Sequence, residues 1–131
     1  MPGADWQTLL FVPVGAERHL ASAIRNRPDA IILDLEDAVP ADEKAAARAN
    51  ALAQVASGQT GWAIRINGVA TAAGIADLAA LIEAECLPPF LFIPMVESAV
   101  EVEIVARALG DRCPELIPLI ETPKGLRQAV A

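Results

Sequence analysis

This chain of 131 residues has no tyrosine, one histidine and only two cysteines. Cys86 and Cys113 are too few for a disulfide scaffold, so reduced thiols are the default. Neither cysteine has CxxC spacing or a nearby paired histidine, which argues against a metal or nucleophilic role for them. His19 falls in a helical segment beside Arg18 and reads as a surface residue. No apolar run approaches the ~18 residues of a membrane span. The start, MPGADWQTLL, lacks the basic beginning and long apolar middle of a secretory signal. Net charge is -7 with no basic stripe, so no nucleic-acid partner is expected. Neither GxGxxG nor a Walker loop occurs, which removes most support for dinucleotide binding. Cytoplasm is the expected compartment.

What is abundant is hydrocarbon. The chain is 54% hydrophobic, enough for one domain with a real core and too apolar for disorder. The chemistry begins at Ala30 to Ala38, AIILDLEDA. Ala30 to Leu33 form a short apolar run without polar alternation, suited to a strand covered on both faces. Asp34, Glu36 and Asp37 then arrive within four residues. If the strand runs to Asp37, Asp34 and Glu36 share one face. Carboxylates crowded at the end of a buried strand need cations or hydrogen bonds.

The remaining segments alternate. Strands are predicted at Thr8–Val14, Ala30–Asp37, Trp62–Asn67, Phe90–Val96 and Leu116–Glu121. Helices are predicted over Ala16–Arg27, Ala41–Ala56, Ile75–Glu85 and Ala99–Leu109, with a last one running to Ala131. Gly58 is a candidate left-handed cap, Gly68 to Gly74 reads as a loop, and Met95 reads as a core residue. The alternation predicts α/β architecture with a parallel sheet and right-handed crossovers, over one domain, 1–131. Polar residues end strand after strand, at Glu36/Asp37, Arg65/Asn67, Glu97/Ser98 and Glu121/Thr122. Chemistry drawn from many strand ends is the habit of a TIM-type barrel, whereas an open sheet concentrates it at one switch point. A full barrel needs eight units and about 250 residues, so about five of eight strands, an incomplete barrel, are expected.

Arg65, Glu97 and Glu121 together with the acidic cluster form a candidate site for a divalent cation and an anionic substrate. A hard cation such as Mg²⁺ needs only one or two carboxylates when water and substrate oxygens complete its shell. Arg65 either grips a substrate carboxylate bidentately or neutralises Asp34, Glu36 or Asp37. Spacing leaves both open.

Five stretches in order now carry a resemblance: LLFVP (Leu9 to Pro13), IILDLEDAVPADEKAAAR (Ile31 to Arg48), RIN (Arg65 to Asn67), IPMVES (Ile93 to Ser98) and LIETPKG (Leu119 to Gly125). Together the chain resembles the N-terminal part of the HpcH/HpaI aldolase and citrate lyase β-subunit family, most of all its citryl-CoA and malyl-CoA lyase branch. The resemblance implies an oligomeric (β/α)8 barrel, with a homo-oligomer or a complementing chain as partner. It implies a Mg²⁺-dependent carbon–carbon lyase that cleaves a 3-hydroxyacyl-CoA to an acyl-CoA and an oxo-acid. Glu121 would be a metal ligand, Arg65 would hold the oxo-acid carboxylate, and Glu36 and Asp37 would order metal-bound water and Arg65. Three departures stand out. The family's second metal-ligating Asp would follow the next strand, past Ala131. The usual VPG-S-R start reads Val12-Pro13-Val14-Gly15-Ala16, without its Arg. A strand-end Lys is replaced by Met95. Two other readings are a non-catalytic fragment acting only in an assembly, and an HpcH-type aldolase acting on free hydroxy-oxo-acids.

Overall fold

Five strands lie side by side in one parallel sheet, each paired with its neighbours in the chain, in the order β1-β2-β3-β4-β5. The computed structural model describes residues 5–58 and 61–130. The strands are β1 (Leu9–Pro13), β2 (Ala30–Asp34), β3 (Trp62–Arg65), β4 (Phe90–Ile93) and β5 (Glu115–Pro118). The helices are α1 (Glu17–Asn26), α2 (Lys44–Ala56), α3 (Ala72–Glu83), α4 (Ala99–Leu109) and α5 (Pro123–Ala129), and a 3-10 turn over Ala41–Glu43 precedes α2. Five strands alternating with helices match part of a TIM-barrel fold, as the alternation and the strand-end chemistry predict. Among the described residues β1 and β5 do not pair, so each keeps one open edge. The predicted end of the last helix, Ala131, lies outside the described residues, as do Met1 to Ala4.

The period of two along each strand divides the core into two layers. Ile31, Leu33, Trp62, Ile64, Leu91 and Ile93 pack with Ala47, Ala51, Leu81 and Val105 of the helices. Each large aliphatic buried there contributes about 1.5–3 kcal/mol. The small Ala47 and Ala51 allow α2 to approach the sheet closely. Ile32, Ala63, Phe90 and Phe92 form the second layer, joined by Trp6, Ile117 and Leu119. In the parallel register Pro13, Asp34 and Arg65 stand abreast, and Arg65 pairs in turn with Phe92. The row that ends the second layer is therefore the one that carries charge.

Several boundaries move, each for a local reason. β2 stops at Asp34, not Asp37, because Asp34 Oδ1 accepts a bond from the Glu36 amide at 3.0 Å and turns the chain. Glu36 and Asp37 thus belong to a turn, and their predicted strand alternation does not apply. α3 begins at Ala72 because the Thr71 hydroxyl accepts from the Gly74 amide at 3.0 Å, an N-cap inside the stretch read as a loop. β5 ends at Pro118, which leaves Glu121 beyond the strand. Gly58 does adopt positive φ, at 78°, after α2. Among the described residues no helix is long and apolar enough to cross a membrane.

Candidate active site

Arg65 ends β3 and faces the acidic turn that follows β2. Its Nε and Nη2 donate to Asp34 Oδ1 and Oδ2 at 2.9 and 2.7 Å, a two-point clasp between adjacent strands. Both side chains are largely buried, 11% and 5% exposed. The Phe11 ring covers the guanidinium, with its centroid 4.8 Å away, and meets Phe92 edge-on. Arg65 is thereby fixed in place by a carboxylate on one side and a ring face over it. Burial pushes the Asp34 carboxyl up, but the bonds from Arg65 and the Glu36 amide prevail and its pKa falls below the ordinary value. The Arg65 pKa rises in turn, chiefly through its bond to Asp34.

One edge of the guanidinium is spent on Asp34. The remaining N–H groups meet three more carboxylates: Nη1 lies 3.7 Å from Glu36 Oε2 and 3.9 Å from Glu121 Oε1, and Nη2 lies 3.8 Å from Asp37 Oδ2. These separations are too long for hydrogen bonds, so the far edge of Arg65 is surrounded but not bonded. Glu36 Oε2 is buried and, among the described residues, has no hydrogen-bond partner. Burial, then Asp37, then the charge of Glu121 raise its pKa to about 7, against the opposing pull of Arg65. Asp37 is open to solvent at 79%, and Glu121 is 36% exposed. Glu121 is steadied by the Met95 amide, which donates to its Oε2 at 3.0 Å.

The four residues named from sequence, Arg65, Glu36, Asp37 and Glu121, thus come together. Glu97 does not. Its Oε1 accepts from the Thr122 hydroxyl at 2.9 Å and its Oε2 pairs with Lys124 at 3.1 Å, so it is tied to side chains at the start of α5 and is lost from the predicted constellation. Met95 is not core either: it adopts φ 53°, which turns its side chain outward, 48% exposed, while its amide points to Glu121. His19 is exposed, as read, and Cys86 and Cys113 are free thiols. Sequence reasoning left the Asp34–Arg65 pairing as one alternative and missed Phe11, Lys44 and Asp77 altogether. A carboxylate inside the apolar stretch of α3 was the available signal for Asp77, which is 1% exposed.

The arrangement presents the far edge of a guanidinium surrounded by carboxylate oxygens, beyond the carboxyl ends of parallel strands. Comparison with known proteins bears directly on that geometry. The model of the HpcH/HpaI aldolase/citrate lyase family matches residues 7–131. This chain belongs to that family. It is 39% identical over 127 residues to a (3S)-malyl-CoA thioesterase of Cereibacter sphaeroides, covering 95% of this chain and 43% of that protein. It is 30% identical to the mitochondrial citramalyl-CoA lyase of Homo sapiens, with 92% and 38% covered. A citrate lyase β subunit from M. tuberculosis, solved with oxaloacetate and magnesium, superposes with a TM-score of 0.75 at 31% identity, over 95% of this chain and 52% of that one. The chain therefore spans about half the length, or less, of these family members.

The donor chemistry here suits the magnesium found in that relative. The groups here are hard carboxylate oxygens: among the described residues Glu36 Oε2 lacks a hydrogen-bond partner, and Glu121 Oε1 lies 3.9 Å from Arg65 Nη1. Among the described residues no three His, Cys, Asp or Glu side chains gather as a metal cage. One or two carboxylates, with water and substrate, are what Mg²⁺ commonly takes.

Proposed function

We propose that this chain supplies the oxo-acid half of the active site of a Mg²⁺-dependent carbon–carbon lyase of the citrate lyase β-subunit type. The reaction would cleave a 3-hydroxyacyl-CoA, of the citryl-CoA or malyl-CoA kind, into an acyl-CoA and an oxo-acid. The observation that supports this most is the half-spent guanidinium of Arg65. Asp34 and Phe11 hold it in one orientation, and its far edge is left for another anion.

In this reading the far edge of Arg65 takes the carboxylate of the oxo-acid by two N–H groups. Its placement in advance of substrate means that little reorganisation is needed as charge develops on the neighbouring carbonyl oxygen. Glu121, braced by the Met95 amide, is the metal ligand. Glu36 and Asp37 order the water around that metal and help hold the far edge of Arg65 in place. Bound Mg²⁺ supplies a Lewis acid for the carbonyl oxygen. Acyl-CoA and oxo-acid are thus the partners, and Mg²⁺ is the cofactor.

Thermal unfolding with Mg²⁺ and oxaloacetate or glyoxylate tests the reading. The midpoint should rise for the native chain and not for Arg65→Lys, which keeps charge but loses the planar fork. No shift in the native chain would sink the proposal. A second reading, hydrolysis of the thioester, draws support from the higher identity to the malyl-CoA thioesterase, 39% against 30% for the citramalyl-CoA lyase. Products separate the two: a lyase releases oxo-acid and acyl-CoA, and a thioesterase releases hydroxy acid and free CoA thiol.

A further inference from the structure

Beneath the acidic turn runs a chain of polar contacts that the proposed chemistry does not use. Lys44, the first residue of α2, donates from Nζ to the carbonyls of Leu35 and Glu36, both at 2.9 Å, and to Asn67 Oδ1 at 2.6 Å. An ammonium has three N–H groups, and here each has an acceptor. Asn67 donates from its backbone and its side-chain amide to Asp77 Oδ2, both at 2.7 Å. Asp77 Oδ1 in turn accepts from Arg48 Nε at 2.7 Å. The chain runs from the turn after β2, through the end of β3, to α2 and α3. Asn67 and Asp77 are buried.

We infer that Lys44 is a positioning residue for the candidate site, setting the direction of the Glu36 carboxylate through its backbone. The inference rests on the site proposed above, but its geometry stands independently. The Glu36 peptide is held at both ends: its N–H by Asp34 Oδ1 and its C=O by Lys44 Nζ. With both ends fixed, the Cα–Cβ bond of Glu36 has a set direction, and from it the carboxylate comes to lie 3.7 Å from Arg65 Nη1. The same ammonium bonds to Asn67, two residues beyond Arg65, and so adds a side-chain tie between the acidic turn and the residues that follow β3. Asp34 and Lys44 therefore act as paired braces, one on each side of a single residue. Lys44 touches none of the reacting groups.

Three measurements test this. In the native chain, the ¹⁵N signal of the Lys44 ammonium should be sharp and slow to exchange; a signal like that of free lysine overturns the inference. In Lys44→Met, the Glu36 amide should exchange about tenfold faster relative to the Ile64 amide, a reporter of global opening, because a charge-assisted bond to its peptide is lost. Asp77→Asn breaks the far end of the chain and serves as the control for plain destabilisation. If both variants speed Glu36 exchange equally, Lys44 has only a structural role and the inference fails. Oxaloacetate affinity with Mg²⁺ should drop in Lys44→Met and stay near native in Asp77→Asn. Failure of the native chain to bind oxaloacetate would sink the lyase reading and leave the exchange test of Lys44 standing.

Discussion

Replacing Asp34 with Asn should loosen both the fold and the site, and the structure sets the scale. The change keeps shape and one acceptor, so the turn bond from the Glu36 amide to Oδ1 survives. What goes is the two-point clasp on Arg65, since an Asn amide N–H would face the Nη2 donor that Asp34 Oδ2 now satisfies at 2.7 Å. Breaking a buried ion pair by removing one partner typically costs about 3–5 kcal/mol. Here Glu36, Asp37 and Glu121 all lie within 4 Å of Arg65, so its charge is not left alone. We therefore expect a smaller loss of about 2–3 kcal/mol, read from the midpoint of urea unfolding at neutral pH. The Asp34 carboxyl titrates below its ordinary value, so its stabilisation is present above about pH 4 and vanishes as pH falls through the folded-state pKa. The native and Asp34→Asn forms should accordingly converge in stability as pH falls through the folded-state pKa of Asp34. Oxaloacetate binding should weaken as well, because Arg65 would turn toward the free carboxylates. A cost under about 1 kcal/mol with unchanged oxo-acid affinity would refute the claim that Asp34 orients Arg65.

Glu36→Gln should act in the opposite sense. The folded pKa of Glu36 is raised from 4.5 to about 7, so its favourable contribution is complete below about pH 4.5 and lost as pH climbs through 7. Gln should therefore stabilise the chain by about 1–2 kcal/mol near pH 8 and hardly at all near pH 4, after discounting for solvent screening. An equal effect at both pH values would disprove the linkage. Glu121→Gln should abolish any thermal stabilisation by Mg²⁺ and change the metal-free form by less than about 0.5 kcal/mol, since the residue is 36% exposed and the new amide oxygen still accepts from Met95. Equal destabilisation with and without Mg²⁺ would assign it a structural role instead. Gly125→Ala would press a methyl group into the Val96 carbonyl, where α5 seats against the end of the β4 loop. Denaturant unfolding should register a loss of about 1–3 kcal/mol, and a change within about 0.5 kcal/mol would show that α5 can shift freely.

Local chemistry carried most of the architecture. Apolar strands broken by Gly and Pro, alternating with amphipathic helices, depend on contacts within a few residues, so Ala30 to Leu33 and Trp62 to Ile64 read correctly as strands. The acidic run LDLED, Arg65 and Glu121 stood out as candidates because ionisable side chains are rare beside a buried sheet. Boundaries were less legible where a side chain bonded its own backbone. Asp34 halted β2 and Thr71 started α3 early, and neither event shows in hydrophobic periodicity. Partnership was not legible at all. That Arg65 meets Asp34 turned on parallel register, which set the two residues abreast on adjacent strands. Glu97 was drawn to Thr122 and Lys124 instead of Arg65 because the turn after β4 delivers it to α5. The role of Lys44 likewise came only from the fold, which brings two carbonyls and Asn67 to its ammonium. The sequence by itself determined which groups are available and on which elements they ride; the tertiary structure decided which of them pair, because pairing depends on register and on turns between segments far apart in the chain.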